Sequence, residues 1–306
     1  MAKLRAKVVE MGARRSVSTA RAYACDWRDF EAWCKVAGRC PLPAGPETLA
    51  LYVAHGLETG RKCSSLERRL AAIASAHRAA RVDVPSSLEA RGVLNGALRA
   101  GAAGPKGKAA LSVADLRKCV AGVSKKSALG LRDRAILVLG FASALRRSEL
   151  VGLDMSDVLV TDRGVRVFIR RSKTDQVGAG REIGIFPGRR ADTCPLRVLR
   201  AYLKVRGDEP GPLFLSSDSQ GRLRPGRRLL GHNLRMAVLR AVEGAGLDVK
   251  LYGAHSLRAG CITAAAEAGV PESIIMQRSG HKSIAMVARY VRPASIWSVD
   301  PLARAL

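Results

Sequence analysis

Acidic side chains are scarce in this 306-residue chain: 26 Asp and Glu stand against 52 Lys and Arg, a net charge of +26. Such an excess costs self-repulsion unless a polyanion relieves it, so nucleic acid is the expected partner. A ribosome-associated protein would share the trait. A GC-rich genome would account for part of the arginine and alanine, but not for the shortage of acid. Paired cysteines are also missing. The seven, Cys25, Cys34, Cys40, Cys63, Cys119, Cys194 and Cys261, are odd in number and contain no CxxC. That sets aside a closed disulfide framework and a zinc site, and reads as reduced thiols of a cytoplasmic protein. No apolar run approaches the ~18 residues of a membrane span, and the N-terminus has charges but no apolar signal core. Neither membrane attachment nor secretion is expected.

The charge is shared between two lobes. Residues 1–104 hold 17 basic and 9 acidic side chains, and residues 105–306 hold 35 and 17. Two basic lobes suit a protein that grips a duplex from two sides. A basic N-terminus, residues 1–15, precedes a helical lobe over 16–100. Ser16 or Ser18 caps its first helix, with Tyr23, Trp27, Phe30, Cys34 and Ala37 on one face. Pro46 opens a second helix, which Gly60 ends. Ser64 or Ser65 caps a third, carrying Leu66, Leu70, Ile73 and His77, and Ser86 or Ser87 opens a fourth through Leu94, Ala97 and Leu98.

Three Gly and one Pro within Gly101–Lys108 mark a linker over 101–110. A second domain, 111–293, starts at the capping pattern Ser112-Val-Ala-Asp115. Helices are expected near 112–122 and 130–144. Val158–Thr161, Val165–Arg170 and Arg181–Phe186 read as strands, the first two joined by a turn at Asp162-Arg163-Gly164. Further helices are expected over Pro195–Arg206, His232–Ala245, Ser256–Ala268, Glu272–Ser279 and Ser283–Tyr290, with Pro293 stopping the last. The fold class is mainly α with a small antiparallel sheet, an α+β arrangement.

Chemistry-bearing residues concentrate in the second domain. Ala144-Leu-Arg146-Arg-Ser-Glu149-Leu150 follows an apolar helix, Arg170-Arg-Ser-Lys173-Thr-Asp follows a strand, and His255-Ser-Leu-Arg258 opens a helix. Ser279-Gly-His281 precedes Tyr290 by nine residues, counted from the histidine. Two arginine forks can hold the non-bridging oxygens of one phosphate. Two histidines and a lysine can manage protons, and a tyrosine hydroxyl relieved of its proton is a nucleophile. No acidic cluster is available for Mg²⁺, so positive side chains must stabilise the transition state. These types together suit metal-free phosphoryl transfer through a phosphotyrosine, with no cofactor. Each has a plainer reading: Glu149 as a buttress for Arg146, His255 as a helix cap, His281 as a C-cap residue. Tyr252 is the rival nucleophile, more suited to a core or wall position.

These contexts resemble the tyrosine recombinase (phage integrase) family. Arg146 with Glu149 and Leu150 matches its first arginine box, His255 and Arg258 its His-x-x-Arg box, and Gly280-His281 its Gly-His box. Tyr290-Val-Arg292 matches its nucleophile context, and Lys173 its β-hairpin lysine. The resemblance covers roughly residues 16–293 and implies a helical core DNA-binding domain joined to an integrase-type catalytic domain. It further implies that Arg146 and Arg258 clamp the scissile phosphate with a hydrogen bond from His281, that His255 helps deprotonate Tyr290, and that Lys173 protonates the leaving 5′ oxygen. Bond energy is kept, so ATP is not needed.

The expected partner is double-stranded DNA with short inverted-repeat sites, bound by a homo-tetramer on two paired sites; accessory proteins are left open. Arg61, Lys62, Arg68 and Arg69 cluster at the start of the third helix, where phosphate and base-edge contacts are favoured, or form a solvated face. Arg170 and Arg171 extend a strand toward phosphate. Arg222, Arg224, Arg227 and Arg228 lie in a stretch expected to be flexible and to serve phosphate. In the family, a helix opened as His232, Asn233 and Arg235 open theirs lies in the major groove. The apolar tail Ile296, Trp297, Val299, Leu302 and Leu306 (residues 294–306) is expected to dock on a neighbouring subunit or on its own domain.

The short segment before Ser16 favours a simple two-domain enzyme without an arm-binding domain. Two alternatives carry different expectations: a type IB topoisomerase, which relaxes plasmids without a specific sequence, and a non-catalytic DNA-binding relative, which forms no covalent adduct. The target sequence and the phage, transposon, plasmid or chromosomal role are not legible.

Overall fold

A computed structural model describes residues 17–101, 107–170 and 180–295. Lys173, Arg171 and the apolar tail lie outside the described residues. The chain divides into two compact units, Met1–Gly107 and Lys108–Leu306.

In the first unit, α1 (Val17–Val36), α2 (Pro46–Glu58), α3 (Cys63–Ala80) and α4 (Leu88–Arg99) surround one core. Phe30, Cys34, Leu49, Tyr52, Val53, Leu66, Leu70, Ile73 and Leu94 are buried there, the helical spacing having placed them on facing stripes. Pro46 occupies the first turn of α2, where its missing N–H costs nothing. Three local expectations are corrected. Ser18 lies inside α1, and Ala37 is exposed beyond its end. The cap of α3 is Lys62, not Ser64 or Ser65, and no side chain accepts from the helix start. Cys63 and Leu66, in its first turn, are both buried in the core.

In the second unit, Ser112 caps α5 (Val113–Gly122) by accepting from Asp115 N at 3.0 Å. The helix α6 (Ala128–Ser143) is buried along nearly its whole length. A short α7 (Arg147–Gly152), not anticipated from pattern, follows directly. Strands β1 (Val158–Thr161), β2 (Gly164–Ile169) and β3 (Arg181–Ile185) form an antiparallel sheet in sequence order. Val165, Val167, Ile169, Ile183 and Ile185 face the core. Gly164, at φ 141°, is needed where β1 turns into β2, since a Cβ would lie 2.2 Å from Ile185 O.

Then come α8 (Pro195–Arg206), β4 (Leu215–Ser217), β5 (Leu223–Arg228), α9 (Gly231–Gly244), α10 (Ala254–Glu267), α11 (Glu272–Ser279) and α12 (Ile284–Ser295). The segment 222–228, expected to be flexible, is instead largely strand β5 paired with β4. Its register is pinned at the end, where Arg228 donates to Val151 O at 2.9 Å and Leu153 O at 3.0 Å. Helix α12 also runs two residues past Pro293 rather than stopping there; a proline in the last turn deletes only one backbone hydrogen bond. Several arginines serve the interior. Arg132 and Arg134 are buried, the first bonded to Asp133 and Leu215 O, the second to Val120 O and Asp192 O.

Candidate active site

Helices α6 and α10 approach closely because glycines line their contact. A Cβ on Gly140 would lie 3.0 Å from Leu150 and Leu257, and one on Gly260 would lie 2.1 Å from Leu111 O and 2.7 Å from Phe141. Their approach sets the end of α6 against Arg258. Ala144 closes α6 in the left-handed region at φ 54°, which turns its carbonyl toward α10. Arg258, only 1% exposed, donates from Nη1 to that carbonyl at 2.6 Å.

The same turn launches Arg146. Its backbone N–H donates to Glu149 Oε2 at 2.9 Å, and its Nη1 to Glu149 Oε1 at 2.7 Å. Glu149 thus caps α7 and holds the guanidinium at once, the buttress role its spacing suggested. Arg146 Nη2 reaches Gly280 O at 3.4 Å. A small apolar cluster of Ala144, Ile262, Ile275 and Val287 seats α10, α11 and α12 beneath these groups, and Tyr290 packs on it.

Above that cluster, His255 Nε2 and Tyr290 Oη lie 3.1 Å apart. The rings of His281 and Tyr290 stack at 6.2 Å with 28° between planes. Arg258 Nη2 lies 2.9 Å from His281 Nε2. Five of the six expected catalytic side chains, Arg146, His255, Arg258, His281 and Tyr290, therefore converge; Lys173 lies outside the described residues. Tyr252 is half-buried against the core of the unit instead.

The electrostatics favour an anion. Burial, and then the neighbouring Arg146, pull Arg258 down to about 10, so its guanidinium remains charged at neutral pH. Burial, then Arg258 and Arg146, push His255 below the ordinary histidine range and bring His281 down to about 4. Both imidazoles are neutral at pH 7. In the tautomer that leaves Nε2 unprotonated, His255 can accept the Tyr290 hydroxyl hydrogen.

Two residues in the site carried no sequence signal. Arg181, at the start of β3, donates from Nη2 to Glu149 Oε2 at 3.5 Å and from Nη1 to Gln277 O at 3.3 Å and to Arg278 O. Among the described residues its Nε is buried without a hydrogen-bond partner, and burial lowers its pKa. Arg278 ties α11 to Ala142 O at 2.8 Å and Gly184 O at 2.9 Å. Both act on backbone carbonyls or carboxylates remote in sequence.

The residues expected on DNA are placed variously. Arg61 forks onto Asp29 and Arg68 onto Asp26, while Arg69 donates to Asp29 through Nη1 alone; Lys62 is exposed. Arg170 engages Asp157 at 2.6 Å and Asp154 at 3.0 Å, and Arg228 pairs with the same Asp154. Arg222, Arg224, Arg227, His232 and Asn233 are exposed on the β4–β5 hairpin and the first turn of α9, with Arg235 half-buried.

The model of the phage integrase family matches residues 112–295. An integrase/recombinase XerD homologue of Selenomonas ruminantium is 35% identical over 94% of this chain and 85% of its own length. The integrase of the transposon Tn1549, solved with transposon right-end DNA, shares the fold at TM-score 0.68 and 17% identity, covering 99% of this chain and 96% of that one. A lambda integrase tetramer bound to a Holliday junction does so at TM-score 0.61 and 16% identity, over 97% and 78%. This chain belongs to the phage integrase family. It is an enzyme of site-specific DNA recombination, of the tyrosine recombinase class.

Proposed function

We propose that Tyr290 is the nucleophile of this recombinase and that Arg146 and Arg258 hold the scissile phosphate. The observation that carries the reading is the 3.1 Å contact of His255 with Tyr290 beside a buried Arg258 that, among the described residues, forms no ion pair. His255 takes the phenolic proton as Tyr290 oxygen attacks phosphorus. The bond from phosphorus to the 5′ oxygen breaks, the 3′-phosphotyrosine forms, and Lys173 gives a proton to the departing oxygen. Attack by the 5′ hydroxyl of a partner strand reverses these events and releases Tyr290. One ester replaces another at each step, so the bond's energy is retained without ATP.

The partner is duplex DNA with short inverted repeats, reached in the cytoplasm. Two basic units supply the phosphate contacts, the region 16–100 acting as core-binding domain and 111–293 as catalytic domain. A lambda integrase tetramer has been solved on a Holliday junction, and this chain is proposed to act as a tetramer on two paired sites. Short sites recovered from a random inverted-repeat library, nicked beside the scissile phosphate, provide the test. The protein forms an SDS-resistant adduct on such a duplex, and Tyr290→Phe abolishes it. Absence of an adduct with the unaltered chain, or its survival in the variant, overturns the reading.

A further inference from the structure

Ser279 ends α11 fully buried, with its Oγ 2.7 Å from Ile275 O, 3.5 Å from Met276 O and 2.8 Å from His281 Nδ1. On the far side of the same ring, His281 Nε2 lies 2.9 Å from Arg258 Nη2. A guanidinium has five N–H donors and no acceptor. The Nε2 facing it must therefore offer a lone pair; an N–H there would oppose another N–H. A neutral ring then carries its hydrogen on Nδ1, and that hydrogen points at Ser279 Oγ. The serine must accept it, which sends the serine's own hydrogen to the carbonyls of Ile275 and Met276. Every bond in the series has one direction: Arg258 to His281, His281 to Ser279, Ser279 to the last turn of α11.

We propose that Ser279 is a positioning residue that holds His281 in the Nδ1–H tautomer, so that His281 aims the Arg258 guanidinium through Nε2. Two of the five Arg258 N–H groups are thereby fixed, one on His281 and one on Ala144 O. The remainder are presented to the phosphate. The neutral ring has no N–H to give that phosphate, so a hydrogen bond from His281 to it requires the imidazolium. The positive groups around the ring, Arg258, Arg146 and Arg181, disfavour that form, as does burial. The role assigned to Arg258 rests on the reading above; the tautomer does not, and its measurement distinguishes the two.

The test is a long-range ¹H–¹⁵N spectrum of the full-length protein with ¹⁵N-labelled histidine, at a pH where the imidazoles are neutral. His281 is assigned by its loss in His281→Gln. The expected pattern is protonated Nδ1 and unprotonated Nε2. In Ser279→Ala the tautomer ratio shifts toward Nε2–H by about tenfold, the worth of one buried hydrogen bond. Ser279→Thr, which keeps the hydroxyl, restores the ratio. With inorganic phosphate as the probe, Ser279→Ala binds more weakly and Ser279→Thr recovers the binding. An Nε2–H pattern in the unaltered protein overturns the proposal without a variant having to fold. An Nδ1–H pattern unchanged in Ser279→Ala overturns the role of the serine.

Discussion

Glu149→Ala tests how the site holds its first arginine. The Glu149 carboxylate is 6% exposed and receives the Arg146 N–H, the Arg146 guanidinium and Arg181. Removing one partner of a buried ion pair costs about 3–5 kcal/mol. The Arg146 side chain keeps 18% exposure, so water recovers part of that, and about 2–3 kcal/mol is expected. Losing the α7 cap lies within the same figure, since capping alone is worth about 1 kcal/mol. Urea unfolding followed by far-ultraviolet circular dichroism reads the change as a shift in midpoint at constant slope. Glu149→Gln keeps an oxygen for the Arg146 N–H and so recovers about 1 kcal/mol. Adduct formation falls in both variants because Arg146 is released. A Glu149→Ala protein within about 0.5 kcal/mol of the original, or a Gln variant as unstable as the Ala variant, refutes the reasoning.

Gly260→Ala sets helix propensity against packing. Propensity favours alanine by about 1 kcal/mol, but the Leu111 carbonyl at 2.1 Å forces α10 away, and overpacking of this kind costs about 1–3 kcal/mol; a lower unfolding midpoint is expected in denaturant titration. Stability also depends on pH through His255 and His281. Both are depressed in the folded chain, so the unfolded chain binds more protons below the ordinary value of 6.5. Their contribution is complete above that value and is lost as pH falls below it, for His281 through about 4; the slope below 6.5 flattens in the double variant His255→Gln, His281→Gln, measured by denaturation across pH. In the first unit, burial raises Asp29, but hydrogen bonds from Arg61, Tyr52 and Arg69 outweigh it and bring the carboxyl to about 2. Asp29→Asn is expected to lower stability by roughly 1 kcal/mol, since the cluster is partly solvated, and the loss disappears as the reference protein is titrated from pH 3.8 toward 2.

What was legible in the sequence is what local spacing encodes. Glu272–Ser279 and Pro195–Arg206 match their helices because proline or a charged first turn opens them and glycine follows them. The candidate site positions Arg146, His255 and His281 were legible because each lies in a short context at or next to an element boundary, where backbone geometry fixes direction. Contacts set by tertiary closure were not. Arg181 meets Glu149, 32 residues away, and α11 carbonyls 96 and 97 residues away. Strand β5 has no alternating apolar face; Arg228 anchors it to carbonyls more than seventy residues upstream. Charge misled in part, since Arg132, Arg134, Arg206 and Arg258 are buried and bond to backbone or neighbouring side chains. Arg61, Arg68 and Arg69, expected on DNA or as a solvated face, also pair with Asp26 and Asp29, a partnership that needs α1 and α3 packed together and that local spacing does not encode.

The central claim is that Tyr290 is the residue joined to DNA. A covalent adduct trapped on a nicked duplex, digested with protease and nuclease, gives a peptide whose mass and fragmentation locate the nucleotide. The account predicts a single modified peptide carrying the 3′-linked nucleotide on Tyr290. A nucleotide on Tyr252 or any other residue contradicts it.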